Sequence, residues 1–104
     1  MTYKIRYTPE AQRDMDRIWD DVLETSKDYD ITANYLKEMR NAISKKGKAP
    51  KTGTPLYYCG LFTGYYHIRF KAYTVFYRIE DDRMEVAHVI PVKRDYMVIL
   101  FGEE

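Results

Sequence analysis

The sequence predicts an α+β fold over a single domain, residues 1–104. An N-terminal strand leads into an antiparallel two-helix hairpin packed on a small antiparallel sheet, in the order β-α-α-β-β-β, with a short C-terminal tail. Three observations predict it. Residues 3–7 and 65–90 alternate or run in β-branched and aromatic residues, as strands do. Residues 9–23 and 31–43 instead place apolar residues at helical spacing. Only a short polar break separates the two helical stretches, which suits an antiparallel hairpin. Each helix has one apolar stripe to bury, and the sheet offers the surface to bury it against.

Residues 3–7 (YKIRY) alternate apolar and polar and form the first strand. Thr8-Pro9-Glu10 is a helix start: Thr8 caps, Pro9 suits the first helical position, and Glu10 meets the positive end of the dipole. Ala11, Met15, Ile18, Trp19, Val22 and Leu23 make the apolar stripe, with Trp19 read as core. Asp14, Asp16, Asp20, Asp21 and Glu24 are read as the solvated side. Asp28 or Asp30 caps the second helix, whose stripe is Ile31, Tyr35, Leu36, Met39, Ala42 and Ile43; Gly47 stops it and Pro50 lies just beyond. Residues 48–64 (KAPKTGTPLYYCGLFTG) read as a loop with at most a short extended piece around Leu56, Tyr57 and Tyr58.

The most informative stretch is 64–96. Strand alternation puts Tyr65, His67, Arg69 and Lys71 on one face, and Tyr66, Ile68, Phe70 and Ala72 on the other, lining up three basic groups. Residues 73–79 form a central strand, Glu80-Asp81-Asp82-Arg83 a hairpin turn, and residues 84–90 a third strand that Pro91 ends. Lys93-Arg94-Asp95-Tyr96 arrives just past the sheet, where Arg94 would reach the rim carrying Arg69. Residues 96–101 (YMVILF) form either a short helix closing the core or an added strand; any part left exposed would dock another chain.

Composition narrows the function. No apolar run approaches the roughly 20 residues that span a bilayer, and the N-terminus has no hydrophobic signal segment, so a cytoplasmic protein with no membrane partner is expected. The single Cys59 allows no intrachain disulfide and is read as structural or incidental; with only two histidines, the chain falls short of the ligands a structural zinc takes. No metal or cofactor is expected, and no phosphate-loop or other catalytic fingerprint is present. Net charge is +1, but unevenly spread. Residues 10–30 hold eight acids against three bases. Residues 39–79 contain no Asp or Glu, while Arg40, Lys45, Lys46, Lys48, Lys51, Arg69, Lys71 and Arg78 all lie there. Such a stretch creates a positive surface suited to phosphate or an acidic partner, against the plainer reading of solvated lysines at a helix end.

In this order and spacing, TPEAQRDMDRIWDDVLE, ANYLKEMRNAI with Pro50 and Gly53 after it, YYHIRF, AYTVFYRIEDDRMEV and HVIPVKRDY resemble the RelE/ParE superfamily of toxins from bacterial type II toxin–antitoxin systems. The resemblance covers nearly the whole chain. It implies a helical hairpin on a small sheet and a cognate antitoxin that wraps and neutralises the toxin. It also implies one of two targets. ParE-like toxins poison DNA gyrase without being nucleases; RelE-like toxins enter the ribosomal A site and cut mRNA.

The cutting branch needs a group to activate the ribose 2′-hydroxyl, a phosphate clamp and an acid for the leaving oxygen. The resemblance carries His67 and Arg69 onto two sheet lysines of RelE-like toxins, and Arg94 onto the basic motif after the last strand. Two positions depart: Thr74 stands where an arginine is expected and Leu100 near an expected tyrosine. A threonine cannot hold a phosphate as a guanidinium does. IWDDVLE, the Pro50-to-Gly53 exit, VFYRI and the final Arg94-Asp95 look more like the ParE branch. On that reading Arg69, Lys71, Arg78, Lys93, Arg94, Tyr96 and Phe101 bind the target or the antitoxin. His88 is read as structural, and a degenerate toxin that only pairs with an antitoxin is the third possibility.

Overall fold

The computed structural model describes residues 2–102. Strand β1 (Lys4–Tyr7) leads into helices α1 (Pro9–Ser26) and α2 (Tyr29–Lys46). A 3-10 turn (Pro50–Thr52) follows, then β2 (Thr54–Tyr58), β3 (Leu61–Phe70), β4 (Tyr73–Glu80), β5 (Arg83–Pro91) and α3 (Tyr96–Phe101). The five strands lie in the order β1-β5-β4-β3-β2. The predicted strand, helical hairpin and three-strand meander are all present.

The helix boundaries follow the caps. The Thr8 hydroxyl accepts from Ala11 N–H at 3.0 Å, and the Asp28 carboxylate accepts from Ile31 N–H at 3.0 Å. Lys27 turns the chain between α1 and α2 in the left-handed conformation. Ala11, Met15 and Ile18 of α1 and Leu36, Met39 and Ile43 of α2 pack on Val75, Tyr77, Met84, Val86 and Val89, forming the main core. Truncating a large aliphatic side chain in such a core costs about 2–5 kcal/mol.

Three features differ from the sequence reading. First, β1 pairs parallel with β5, from Lys4↔Arg83 to Tyr7↔Val86, while the other three pairings are antiparallel. The sheet is therefore mixed: the helical hairpin carries the chain to β2 at the far edge, and the antiparallel meander β2 to β5 brings it back beside β1 in the same direction. Second, residues 48–64 are not one loop: they hold the 3-10 turn, β2 and the start of β3. Cys59 and Gly60 form a two-residue hairpin turn with φ of 53° and 79°, and Leu56 is buried. Positive φ at both positions is the geometry that closes a tight hairpin. Third, residues 96–101 form a helix, α3, which closes no part of the main core. It packs on the opposite sheet face, where Ile99, Leu100 and Phe101 meet Leu56, Phe76 and Ile90.

Two polar devices lock the layers. The Tyr77 hydroxyl donates to the Pro50 carbonyl, and Gly53 leaves the room this requires. Burial, with the Tyr66 hydroxyl nearby, pushes the Tyr77 phenol up to about 12, so it keeps its donor proton at neutral pH. Beyond Val86, β5 outruns β1, and α1 satisfies the exposed edge. A bulge at Ala87 frees a carbonyl that accepts from the Thr8 hydroxyl at 2.9 Å, and the Asp14 carboxylate accepts from Val89 N–H at 3.0 Å. Asp14 is thus not on the solvated side of α1, as its place among the acids had predicted. No helix among the described residues is long and apolar enough to cross a membrane.

Candidate functional site

Of the residues singled out in the sequence, the sheet face opposite the helical hairpin carries His67, Arg78, Tyr96 and Phe101. Tyr65 and His67 of β3 lie beside Arg78 and Phe76 of β4, in direct register. α3 covers the middle of this face. Phe101 stacks on Tyr58 with ring centroids 5.5 Å apart and meets Tyr65 edge-on at 6.0 Å, while Tyr96 leans on Phe76 at 5.3 Å. Asp95 caps α3 by accepting from Met97 N–H at 3.0 Å and makes no ion pair with Arg94 among the described residues.

His67 rests on Phe76, with ring centroids 5.6 Å apart. Partial burial in this aromatic setting holds the imidazole below its ordinary 6.5, so it is neutral at pH 7. A neutral imidazole can accept a proton, but catalysis at a phosphodiester also needs cations around the same phosphate. Arg78 is committed within the fold. Its guanidinium donates to Glu85 at 2.9 Å and lies 5.3 Å from the centre of the Tyr65 ring. The hydrogen bond to Glu85 is the main cause that raises its basicity further.

Arg69 and Arg94 part company. Arg69 Nε donates to the Lys71 carbonyl at 2.8 Å, and its side chain lines a cleft with Ala42, Lys45, Lys46 and Ile68. Arg94 lines a separate small cavity with Asp14, Arg17, His88 and Ile99. Lys71 leaves the predicted row. It sits in the β3–β4 turn with φ of 51°, which breaks the strand alternation, and its ammonium lies 3.8 Å from Glu38 and 4.8 Å from the centre of the Tyr35 ring. It therefore faces α2. Lys93, Arg94 and Tyr96 are exposed at the start of the tail. His88 has the structural setting expected of it, with Nδ1 3.1 Å from the Asp14 carboxylate.

The sequence reading missed two groupings. Lys45 and Lys46, counted with Arg69 in the acid-free basic stretch but read equally as helix-end lysines, share one cleft with Arg69. Trp19 packs partly on the core but also meets Tyr29 edge-on at 5.2 Å, and both line an open groove of about 540 Å³ between α1 and α2 with Met15, Leu36, Lys37 and Arg40. Among the described residues, no group of three or more His, Cys, Asp or Glu converges as metal ligands would.

Comparison with known proteins places this geometry. The family described as ParE toxin of type II toxin-antitoxin system, parDE, matches residues 5–96. A chain of the chromosomal ParDE system from P. aeruginosa is similar with a TM-score of 0.74 at 11% identity, covering 88% of this chain and 98% of that one. A chain of the RelBE2 toxin–antitoxin complex from Mycobacterium tuberculosis gives 0.57 at 23% identity, covering 88% and 99%. One from the E. coli DinJ-YafQ complex gives 0.50 at 15%, covering 98% and 100%. At these identities the structural likeness shows a shared fold. No curated protein sequence matches the chain closely.

Proposed function

The chain belongs to the ParE toxin family of type II toxin–antitoxin systems, and from that premise we propose that it arrests growth by docking on DNA gyrase and cuts no RNA. The whole of residues 1–104 acts as one toxin domain in the cytoplasm. The observation that supports docking is the different surroundings of the three groups that a nuclease would need to act together. His67 lies against Phe76, Arg69 lines the cleft beside Lys45 and Lys46, and Arg94 lines the cavity beside Asp14 and His88. No pair of the three lines a common cavity among those described. The tail residues Lys93, Arg94 and Tyr96, exposed at one end of the sheet, are the contact residues in this reading.

A cognate antitoxin neutralises the toxin with an acidic segment that folds on binding and covers Arg69 and Arg94. A toxin–antitoxin complex that leaves both guanidinium groups solvent-exposed would contradict this. The alternative target is the ribosome, with mRNA cut by His67, Arg69 and Arg94. One observation favours it: burial keeps His67 neutral and able to accept a proton.

A short induction without antitoxin separates the two. Labelled thymidine and labelled leucine incorporation are followed minute by minute. Thymidine incorporation falling first supports gyrase; leucine incorporation falling first overturns the docking reading in favour of translation. Charge reversal at Lys93 and Arg94 abolishes the arrest, and His67→Phe leaves it in place.

A further inference from the structure

The α2–β3 cleft is the place where this toxin's positive charge is concentrated and unspent. It opens because β3 outruns β2. Thr54, the first residue of β2, pairs with His67, so Ile68, Arg69 and Phe70 have no strand partner on that side. The last turns of α2 lie along this bare edge, leaving an open cleft of about 510 Å³ lined by Ala42, Lys45, Lys46, Ile68 and Arg69.

Arg69 is exposed at the cleft: its Nε donates to the Lys71 carbonyl at 2.8 Å, while its two terminal amines meet no partner among the described residues. Lys46 touches only the neutral Thr52 hydroxyl, at 3.0 Å, and neither lysine is in an ion pair among those residues. Lys48 and Lys51 follow in the connection to β2, within the stretch 39–79 that has no acid. The C-terminus of α2 contributes about half a negative charge, so three cleft cations leave a surplus of about two and a half positive charges. A guanidinium whose two terminal amines are free takes two oxygens of one oxyanion, and lysines add point charges for its neighbours. The apolar floor of Ala42 and Ile68 suits a sugar more than a second charge.

We propose that this cleft binds the phosphodiester backbone of duplex DNA, so that the toxin grips the nucleic acid on which its target works. The choice of duplex DNA rests on the gyrase reading above. The cleft would fasten Arg69, Lys45 and Lys46 to about three phosphates without reading sequence.

The test titrates the purified full-length chain into a fluorescein-labelled 20-base-pair duplex at 50 and 200 mM KCl. With three phosphates engaged, affinity falls about 40-fold between the two salts. In Arg69→Gln/Lys45→Gln the fall shrinks to about fourfold, since one contact remains. Lys37→Gln, on the outer groove, keeps the full salt dependence. Absence of duplex binding, an unchanged salt slope in the double variant, or tighter binding of an RNA hairpin or a polyglutamate peptide would overturn the proposal. Gyrase supercoiling is assayed with the same proteins. A wild type that inhibits gyrase yet ignores the duplex overturns the cleft and leaves the gyrase reading standing. Cleft-dependent duplex binding by a protein that leaves gyrase untouched supports the cleft and removes the gyrase reading.

Discussion

Adding one methyl group at Gly53 should cost about 3 kcal/mol, and most of that cost should vanish when Tyr77 loses its hydroxyl. A Cβ on Gly53 would overlap the Tyr77 hydroxyl oxygen and lie 3.0 Å from the ring carbon that bears it. Tyr77 is fully buried between β3, β5 and the helices, so the ring cannot swing into solvent. The hydroxyl must leave the Pro50 carbonyl, stranding two buried polar groups at about 1–3 kcal/mol. Overpacking adds about 1–3 kcal/mol. Tyr77→Phe alone loses the hydrogen bond, at about 1–2 kcal/mol. In that background Gly53→Ala meets only the ring carbon, which must yield by a few tenths of an ångström, at about 1 kcal/mol. The coupling between the two positions is therefore about 2 kcal/mol. Urea unfolding of the four proteins measures it, and a chain of this length has about 5–15 kcal/mol of stability to lose. Additive costs, with coupling below about 0.5 kcal/mol, would refute the close-approach account of Gly53.

Three further outcomes follow from the same geometry. Asp14→Ala leaves the Val89 N–H and His88 without their acceptor and lowers stability by about 2 kcal/mol, while Asp14→Asn, which still accepts from Val89, loses less than half of that in the same unfolding assay. His67 has its protonation depressed by burial, so below its ordinary 6.5 the unfolded chain takes up the proton first. The His67 contribution is constant above pH 6.5 and is lost as pH falls through the folded-state value. The unfolding free energy of the wild type should therefore drop more than that of His67→Phe between pH 7.5 and 5.5. Cys59 holds a left-handed backbone beside Gly60, so Cys59→Asn should raise the melting midpoint, with a gain of about 1 kcal/mol and growth arrest unchanged.

Both long helices were legible because each signal is local. Thr8 and Pro9 start α1, Asp28 starts α2, and the apolar spacing marks the buried faces. The strands from Tyr73 onward were legible for the same reason. The β2–β3 hairpin was hidden because cysteine is not a usual left-handed turn residue, and two prolines and three glycines read as a loop. Periodicity carries no information on strand direction, so the parallel β1–β5 pairing waited on the crossover. Asp14 did leave a trace: it stands at i+3 from Ala11 and is followed by Met15 and Ile18, on the apolar stripe itself. Lys71 was misplaced because its turn conformation interrupts the alternation that was extended through it. The meeting of Arg69 with Lys45 and Lys46 depends on where β2 ends, which no local pattern states.

The most direct test of docking without cutting is negative supercoiling of relaxed plasmid by purified DNA gyrase with increasing amounts of the full-length toxin. The account predicts loss of supercoiling by wild type and by His67→Phe at the same concentration, and none by the Lys93→Glu/Arg94→Glu protein. Full supercoiling activity at saturating wild-type toxin would contradict it.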